Sequence, residues 1–279
     1  MRNGFNTKVT EPQNIEIPAV YLTSWLQRHA DRLVDKTRRF EYYDMERDGL
    51  KKTSAYFSAF EAGLWLASVT VIIASFFAFG GGSFLVLTAS IIGASLLILN
   101  ANGNVIGQVL TVVFSILYGI ISYSSAYYGE MVTYLGMTAP IAAMSVVTWL
   151  KNPSEQGRNE VKVNRLRGRE FVFLGFLSAA VTVIFYFILN FFGTAQLILS
   201  TLSIFTSFVA SYLTMRRCEY FAAAYAANDA VLIALWSIAS AGSREYFSMV
   251  ICFIVFLVND IYGFYSWAQM KKRQGAEEV

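Results

Sequence analysis

Eight long apolar runs dominate this chain of 279 residues and constrain its fold more than any other feature. A bilayer core about 30 Å thick requires about 20 apolar residues per helix, and these runs have that length. The composition agrees, since 56% of the residues are hydrophobic and only 15% are charged. The sequence therefore predicts an all-α integral membrane protein with eight transmembrane helices, at Tyr56–Gly80, Ser83–Leu99, Val105–Tyr127, Met131–Leu150, Phe171–Phe192, Ala195–Met215, Tyr220–Ser240 and Tyr246–Met270.

The basic residues of the short connecting segments predict the orientation of these spans. Lys and Arg concentrate in the cytoplasmic loops of membrane proteins. Here they cluster before the first span and after the fourth, sixth and eighth, whereas the alternate connectors carry almost none. Both termini are therefore predicted to be cytoplasmic, and residues 151–170 are predicted to form a basic cytoplasmic loop.

The first 55 residues are predicted to be a cytoplasmic region that contains an amphipathic helix. Tyr21, Trp25, Leu26 and Leu33 recur at helical spacing, with basic residues between them. Such a helix lies in the membrane interface with its apolar face towards the lipid. The single histidine, His29, is interpreted as a surface residue of this helix and not as a ligand.

An internal repeat organises the apolar runs. Sliding the chain by 118 residues aligns the pattern Tyr-x-x-Met-Val at 128–132 with the same pattern at 246–250, and it aligns Trp149 with Trp267. Three spans plus one linking helix between two copies place both copies in the same orientation, related by an axis along the membrane normal. The sequence thus predicts a seven-helix core of 3+1+3 design with parallel repeats and one extra N-terminal helix.

The resulting domain boundaries follow the repeat. They are 1–55 for the N-terminal region, 56–80 for the extra helix, 83–150 for the first three-helix repeat, 151–170 for the basic loop, 171–193 for the linker helix, 195–270 for the second repeat and 271–279 for a cytoplasmic tail. Proteins built from such repeats bind their substrate near the midplane, between the two halves.

Polar side chains inside the predicted spans are the candidates for such a site. A carboxylate at the centre of a membrane helix costs about 2.5 to 3.5 kcal/mol, so intramembrane aspartates are expected to be functional or paired. The alternative is that these residues only hydrogen-bond neighbouring helices to each other. The candidate substrate-binding residues are Gln108, Tyr118, Tyr134, Phe221, Tyr225, Asn228, Asp229, Trp236, Asn259, Asp260 and Tyr262.

Several functions are disfavoured by what the chain lacks. The sequence has no G-x-x-x-x-G-K-[ST] loop for ATP hydrolysis, and one histidine is too few for His-rich metal sites or Ser–His chemistry. The two aspartates lack the glycine-flanked motif of an intramembrane aspartyl protease. We therefore expect no enzymatic activity, no cofactor and, at a net charge of only +3, no nucleic-acid partner.

Two further features carry structural predictions. Pro140 in the fourth span removes a backbone donor and is expected to kink or hinge that helix. Trp149 and Trp267 lie near the predicted cytoplasmic ends of their spans and are expected to belong to the interfacial aromatic belt. Cys218 and Cys252 are interpreted as small core residues.

Three segments resemble the PnuC family of vitamin transporters in its Gram-positive form. They are "NVIGQVLTVVFSILYGIISYSSAYYGEMVTYLGMTAP", "YAANDAVLIALW" and "VICFIVFLVNDIYGFYSW", and the resemblance extends over about Ser83 to Trp267. It implies a bacterial plasma-membrane facilitator for nicotinamide riboside with a core similar to a SWEET sugar transporter. It also implies a homotrimer and a cytoplasmic kinase that traps the substrate by phosphorylation.

One motif of the family differs here. Members that carry nicotinamide riboside have a W-x-x-W motif on the helix matching the seventh span, where this chain has Phe221 and Ala224. Phe221 and Tyr225 are expected to supply the aromatic wall instead. The alternative to nicotinamide riboside is a proton-coupled or facilitated carrier of thiamine, riboflavin or deoxynucleosides, and a third hypothesis is a heptahelical signalling protein.

Overall fold

The computed structural model describes residues 57–79, 83–125, 127–154 and 160–275. The predicted amphipathic helix of the N-terminal region, with His29, lies outside these residues. Within them, eight helices are long and apolar enough to span a membrane, which confirms the predicted number of spans. They are α1 (Ala59–Ala78), α2 (Phe84–Ala101), α3 (Val105–Ser124), α4 (Tyr128–Leu150), α5 (Gly168–Phe191), α6 (Leu197–Met215), α7 (Phe221–Ser240) and α8 (Phe247–Gly275).

The predicted ends of the spans differ from the observed ends by five residues at most, and the largest difference is at the end of α8. This helix continues past Met270 to Gly275 because its last turns bind the segment that follows α4. Arg273 Nη2 lies 2.6 Å from Glu160 Oε2, and Gln274 Oε1 accepts a hydrogen bond from the Val163 amide at 2.7 Å. Hydropathy could not predict these polar contacts.

Local sequence explains where two of the helices begin. α1 starts with a capping box, in which Ser58 Oγ accepts from the Glu61 amide at 3.2 Å and Glu61 Oε2 accepts from the Ser58 amide at 2.7 Å. α3 is preceded by the capping residue Asn104, whose side chain accepts from the Ile106 amide at 2.8 Å. Both arrangements satisfy backbone donors that have no partner within the helix.

Six of the helices form a closed ring in which each helix contacts the next. The order is α2, α3, α4, α6, α7 and α8, and α8 contacts α2 to complete the ring. α1 packs against α2 and α8, and α5 packs against α6. The close contact of α2 with α8 depends on Gly93, where a Cβ atom would overlap the ring of Phe256.

A π-helical turn interrupts α4 at Tyr134–Thr138, directly before the α-helical segment Ala139–Leu150. Pro140 is at the start of that segment, where a missing backbone donor is tolerated. The irregularity in this helix is therefore a π turn directly before Pro140, and the proline itself is in the first turn of the next α-helical segment. Such π turns occur frequently at functional sites, and this one begins with the candidate residue Tyr134.

Candidate functional site

A buried aromatic cluster lies between α3, α4 and α7. Tyr118 accepts a hydrogen bond from Trp236 Nε1 at 2.9 Å, and its ring centroid is 4.4 Å from that of Tyr134. Phe253 of α8 packs edge-on against Tyr118 with the ring centroids 5.8 Å apart. All four side chains are buried. The structure thus brings three predicted site residues, Tyr118, Tyr134 and Trp236, into one cluster.

Asn228 binds the polar face of α6. Its Oδ1 accepts hydrogen bonds from Thr206 Oγ1 at 2.8 Å, Ser207 Oγ at 2.9 Å and Ser203 Oγ at 3.3 Å. The same side chain lies beside the Tyr134 hydroxyl. Asn228 therefore connects the hydroxyl groups of α6 to the aromatic cluster, and its orientation is determined by several partners.

The carboxyl groups of Asp229 and Asp260 lie close together across the contact of α7 with α8. Both residues are 5% exposed, and Asp229 Oδ2 has no hydrogen-bond partner among the described residues. Tyr225 lies beside this pair, and its hydroxyl is 3.3 Å from Ser211 Oγ. Two carboxylates in contact repel each other, so a shared proton or a bound cation stabilises such a pair.

Asn259 and Tyr262 face a different neighbour, the extra helix α1. Asn259 Nδ2 donates to Ser68 Oγ at 2.9 Å, and the Tyr262 hydroxyl donates to Glu61 Oε1 at 2.8 Å. Asn259 Oδ1 is buried without a hydrogen-bond partner among the described residues. The hydrogen bonds of the Asn259 amide nitrogen thus run towards α1 and the Val255 carbonyl and do not converge with those of Asn228.

Gln108 and Phe221 lie towards the basic end of the bundle. Gln108 Nε2 donates to Asn100 Oδ1 at 2.9 Å, and the Asn100 carbonyl accepts from Trp267 Nε1 at 2.8 Å. The ring centroid of Phe221 is 4.8 Å from that of Trp267. These two candidates are connected to each other through Trp267. They lie nearer the basic end of the bundle than Tyr118 does.

The prediction that Trp149 and Trp267 belong to the interfacial belt is wrong. They are 2% and 0% exposed, and their ring centroids are 5.5 Å apart. Trp149 Nε1 donates to the Thr214 carbonyl at 2.9 Å, just as Trp267 donates to that of Asn100. Both indole N–H groups donate to carbonyl groups at the ends of neighbouring helices instead of to water or lipid headgroups. The two side chains can therefore be buried.

Sequence reasoning missed two parts of this polar region. One is a row of hydroxyl groups on α6, from Ser203, Ser207 and Ser211. These serines recur every four residues, a spacing that predicts one helix face and could have identified the row from the sequence. The other is Glu130, which is completely buried and lies 3.4 Å from Ser203 Oγ. As an acidic residue in the first turn of a helix, Glu130 resembles an ordinary helix-terminus charge in the sequence.

Polar and ionisable side chains buried within a bundle of membrane-spanning helices are found along the substrate pathways of membrane transporters. The chain belongs to the family described as the nicotinamide mononucleotide transporters, whose model matches residues 83–269. This confirms the PnuC-type resemblance and the expectation that the protein is a transporter and not an enzyme.

A curated relative and a solved structure are also similar to this chain, the latter in fold. The chain is 25% identical over 222 residues to the nicotinamide riboside transporter PnuC of Neisseria mucosa. This alignment covers 78% of this chain and 84% of that protein. The fold of this chain matches a crystal structure of the vitamin B3 transporter PnuC with a TM-score of 0.70 and 23% identity, over 78% of this chain and 94% of the other.

Proposed function

We propose that this protein carries nicotinamide riboside, or a closely related nucleoside-like vitamin, into the cell by facilitated diffusion. The observation that carries the proposal is the group of buried polar and aromatic side chains that includes Tyr118, Tyr134, Asn228 and Asp229, which lies wholly within the residues that match the transporter family. The curated relative is named as a nicotinamide riboside transporter, which supports this substrate class.

The side chains fit the two parts of such a substrate. A flat pyridinium ring can stack on aromatic side chains, with a cation–π attraction of about 0.5 to 2 kcal/mol. Amide and carboxyl groups can replace the water that solvates the ribose hydroxyls and the carboxamide. The proposed binding residues are those predicted from the sequence, namely Gln108, Tyr118, Tyr134, Phe221, Tyr225, Asn228, Asp229, Trp236, Asn259, Asp260 and Tyr262.

The proposed arrangement of the core is the 3+1+3 design with parallel repeats, similar to that of a SWEET sugar transporter. A pair of equivalent contacts supports it. Thr148 and Trp149 of α4 donate to carbonyls at the end of α6, and Ser266 and Trp267 of α8 donate to carbonyls at the end of α2. The donors are 118 positions apart in both cases, as the repeat requires.

Transport would proceed by alternating access between the two halves. The protein would lie in the plasma membrane of a bacterium as a homotrimer with both termini in the cytoplasm. A cytoplasmic kinase would add a phosphate to the transported nucleoside, and the negative charge would prevent its return. The kinase acts on the product and requires no contact with this chain.

Calorimetry on the purified protein tests the substrate class. Nicotinamide riboside should bind, whereas nicotinamide, which lacks the ribose, should bind more weakly. Thiamine, riboflavin and deoxynucleosides complete the panel. Tighter binding of any of these three than of nicotinamide riboside would overturn the assignment.

A second candidate is a proton-coupled carrier of thiamine or a deoxynucleoside, which the contact between Asp229 and Asp260 favours. Uptake into vesicles that contain the trapping kinase separates the two mechanisms. Facilitated diffusion predicts that the initial rate is unchanged when the proton gradient is collapsed. A rate that falls with the gradient and recovers when one is imposed would favour proton coupling.

A further inference from the structure

Glu130 is a buried carboxyl group whose partners leave it incompletely satisfied. It lies in the first turn of α4 and has no exposed surface. Ser203 Oγ donates to its Oε2 at 3.4 Å, which is a long hydrogen bond, and its Oε1 has no partner among the described residues. One oxygen atom of this carboxyl group is therefore buried without a hydrogen bond, which is costly unless a partner reaches it.

No basic side chain compensates Glu130 within the described part of the chain. The ion pairs there join Arg216 to Glu170, Lys271 to Glu219 and Arg273 to Glu160, all near the basic loops. A buried carboxylate without a counter-charge is costly, and removing either partner from a buried ion pair is strongly destabilising. A ligand that brings a positive charge to Glu130 would remove this cost.

Three tyrosines lie within electrostatic range of the same carboxyl group. Tyr118, Tyr127 and Tyr134 are all close enough to Glu130 to interact with it electrostatically. The faces of aromatic rings attract cations, and such contacts are stronger where water is excluded. An organic cation with a flat ring fits this environment better than a metal ion, because the described residues contain no group of three or more His, Cys, Asp or Glu side chains that could hold one.

Ser203 connects Glu130 to the proposed binding site. Its hydroxyl lies 3.4 Å from Glu130 Oε2 and 3.3 Å from Asn228 Oδ1. One serine on α6 thus joins a carboxyl group of the first repeat to an amide of the second. A molecule bound at Asn228 and Tyr134 would lie beside Glu130.

We propose that Glu130 recognises the positive charge of the substrate, so that the site selects a cationic pyridinium nucleoside over a neutral nucleoside of the same shape. This inference rests on the proposed function, because it assigns a specificity to the same site. Nicotinamide riboside carries a pyridinium charge, whereas its reduced dihydropyridine form is neutral and nearly the same shape. The two forms therefore isolate the contribution of charge.

The test is calorimetry with both forms on the wild-type protein and on Glu130→Gln. We expect the wild type to prefer the cationic form and Glu130→Gln to reduce that preference about 10- to 150-fold, the range for losing a buried interaction with a charged group. Affinity for the neutral form should change little. Glu170→Gln, which alters a carboxyl group paired with Arg216 outside the site, is the matched control and should retain the wild-type preference.

The possible failures are distinguishable. Equal loss of affinity for both forms in folded Glu130→Gln would overturn the proposal and leave Glu130 with a structural role. Wild-type protein that binds neither form would overturn the proposed function itself. If Glu130→Gln does not fold, Glu130→Asp retains the charge but retracts it from the ligand, so its preference for the cation should fall by a smaller factor. An unchanged preference in Glu130→Asp would then contradict the proposal.

Discussion

Trp236 Nε1 donates a hydrogen bond to the Tyr118 hydroxyl at 2.9 Å, and these residues are 118 positions apart, the offset that aligns the two halves of the sequence. Trp149 and Trp267 have the same separation and their rings are also in contact. Residues that contact their own repeat equivalents lie beside the axis that would relate the two halves. Both pairs are buried, so this region is packed with aromatic side chains at two depths.

Replacing Trp236 by Phe should destabilise the protein. The substitution leaves the Tyr118 hydroxyl buried without its donor and opens a space in the aromatic cluster, which together should cost about 1 to 3 kcal/mol. Thermal unfolding in detergent measures the loss. Trp65→Phe is the control, because the Trp65 hydrogen bond to Ser95 Oγ is on an exposed part of α1 and should matter less. Equal effects of the two substitutions would contradict the importance of the Tyr118–Trp236 contact.

Asn228→Leu should weaken the binding of nicotinamide riboside about 5- to 150-fold, because ligand groups buried without partners cost about 1 to 3 kcal/mol. Calorimetry on folded protein measures the change. Asn228→Asp keeps the acceptor for Thr206 and Ser207 and serves as a second variant if the leucine variant does not fold. Asn190→Leu, at an exposed position on α5, is the matched control. Wild-type affinity in folded Asn228→Leu would remove Asn228 from the proposed site.

Gly119→Ala should destabilise the contact of α3 with the π turn of α4. A Cβ atom at Gly119 would lie 2.6 Å from Leu135 Cγ, so the Leu135 side chain or the turn must shift, and such overpacking typically costs about 1 to 3 kcal/mol. Gly175→Ala on α5 meets no atom within 4 Å and should be neutral or stabilising by up to about 1 kcal/mol. Thermal unfolding of both variants tests this prediction, which fails if Gly119→Ala is as stable as Gly175→Ala.

Cysteine labelling in intact cells should report the orientation. A membrane-impermeant thiol reagent added outside should label Gly242→Cys, in the connector between α7 and α8, and should not label Arg165→Cys. The native Cys252 is buried within α8, and burial raises the pKa of the Cys218 thiol to about 11, so that little reactive thiolate is present at neutral pH. Labelling of Arg165→Cys from outside would reverse the predicted arrangement.

The number and limits of the membrane helices could be predicted because hydropathy depends on local composition alone. The eight apolar runs became eight helices, with end differences that arise from caps and from polar contacts such as that of Arg273 with Glu160. The family resemblance could also be recognised from the sequence, since ordered polar and aromatic patterns carry it.

The neighbours of each polar residue could not be predicted in the same way. Helical periodicity assigns Asn259 and Tyr262 to a face of α8 but does not say that α1 covers that face through Ser68 and Glu61. Depth along the helix suggested lipid headgroups around Trp149, whereas the structure places a carbonyl group of α6 there. Such contacts depend on how helices that are distant in the sequence pack together.

The two equivalent tryptophan contacts have a consequence for the opening of the basic end. One contact joins α4 to α6 and the other joins α8 to α2. The two halves of the ring are therefore joined by two separate helix contacts at this end. If one of these contacts breaks, the other still joins the two halves. The halves separate completely at the basic end only when both indoles lose their carbonyl partners. Separation of the two halves at this end would therefore break two hydrogen bonds in two different helix contacts, each the repeat equivalent of the other.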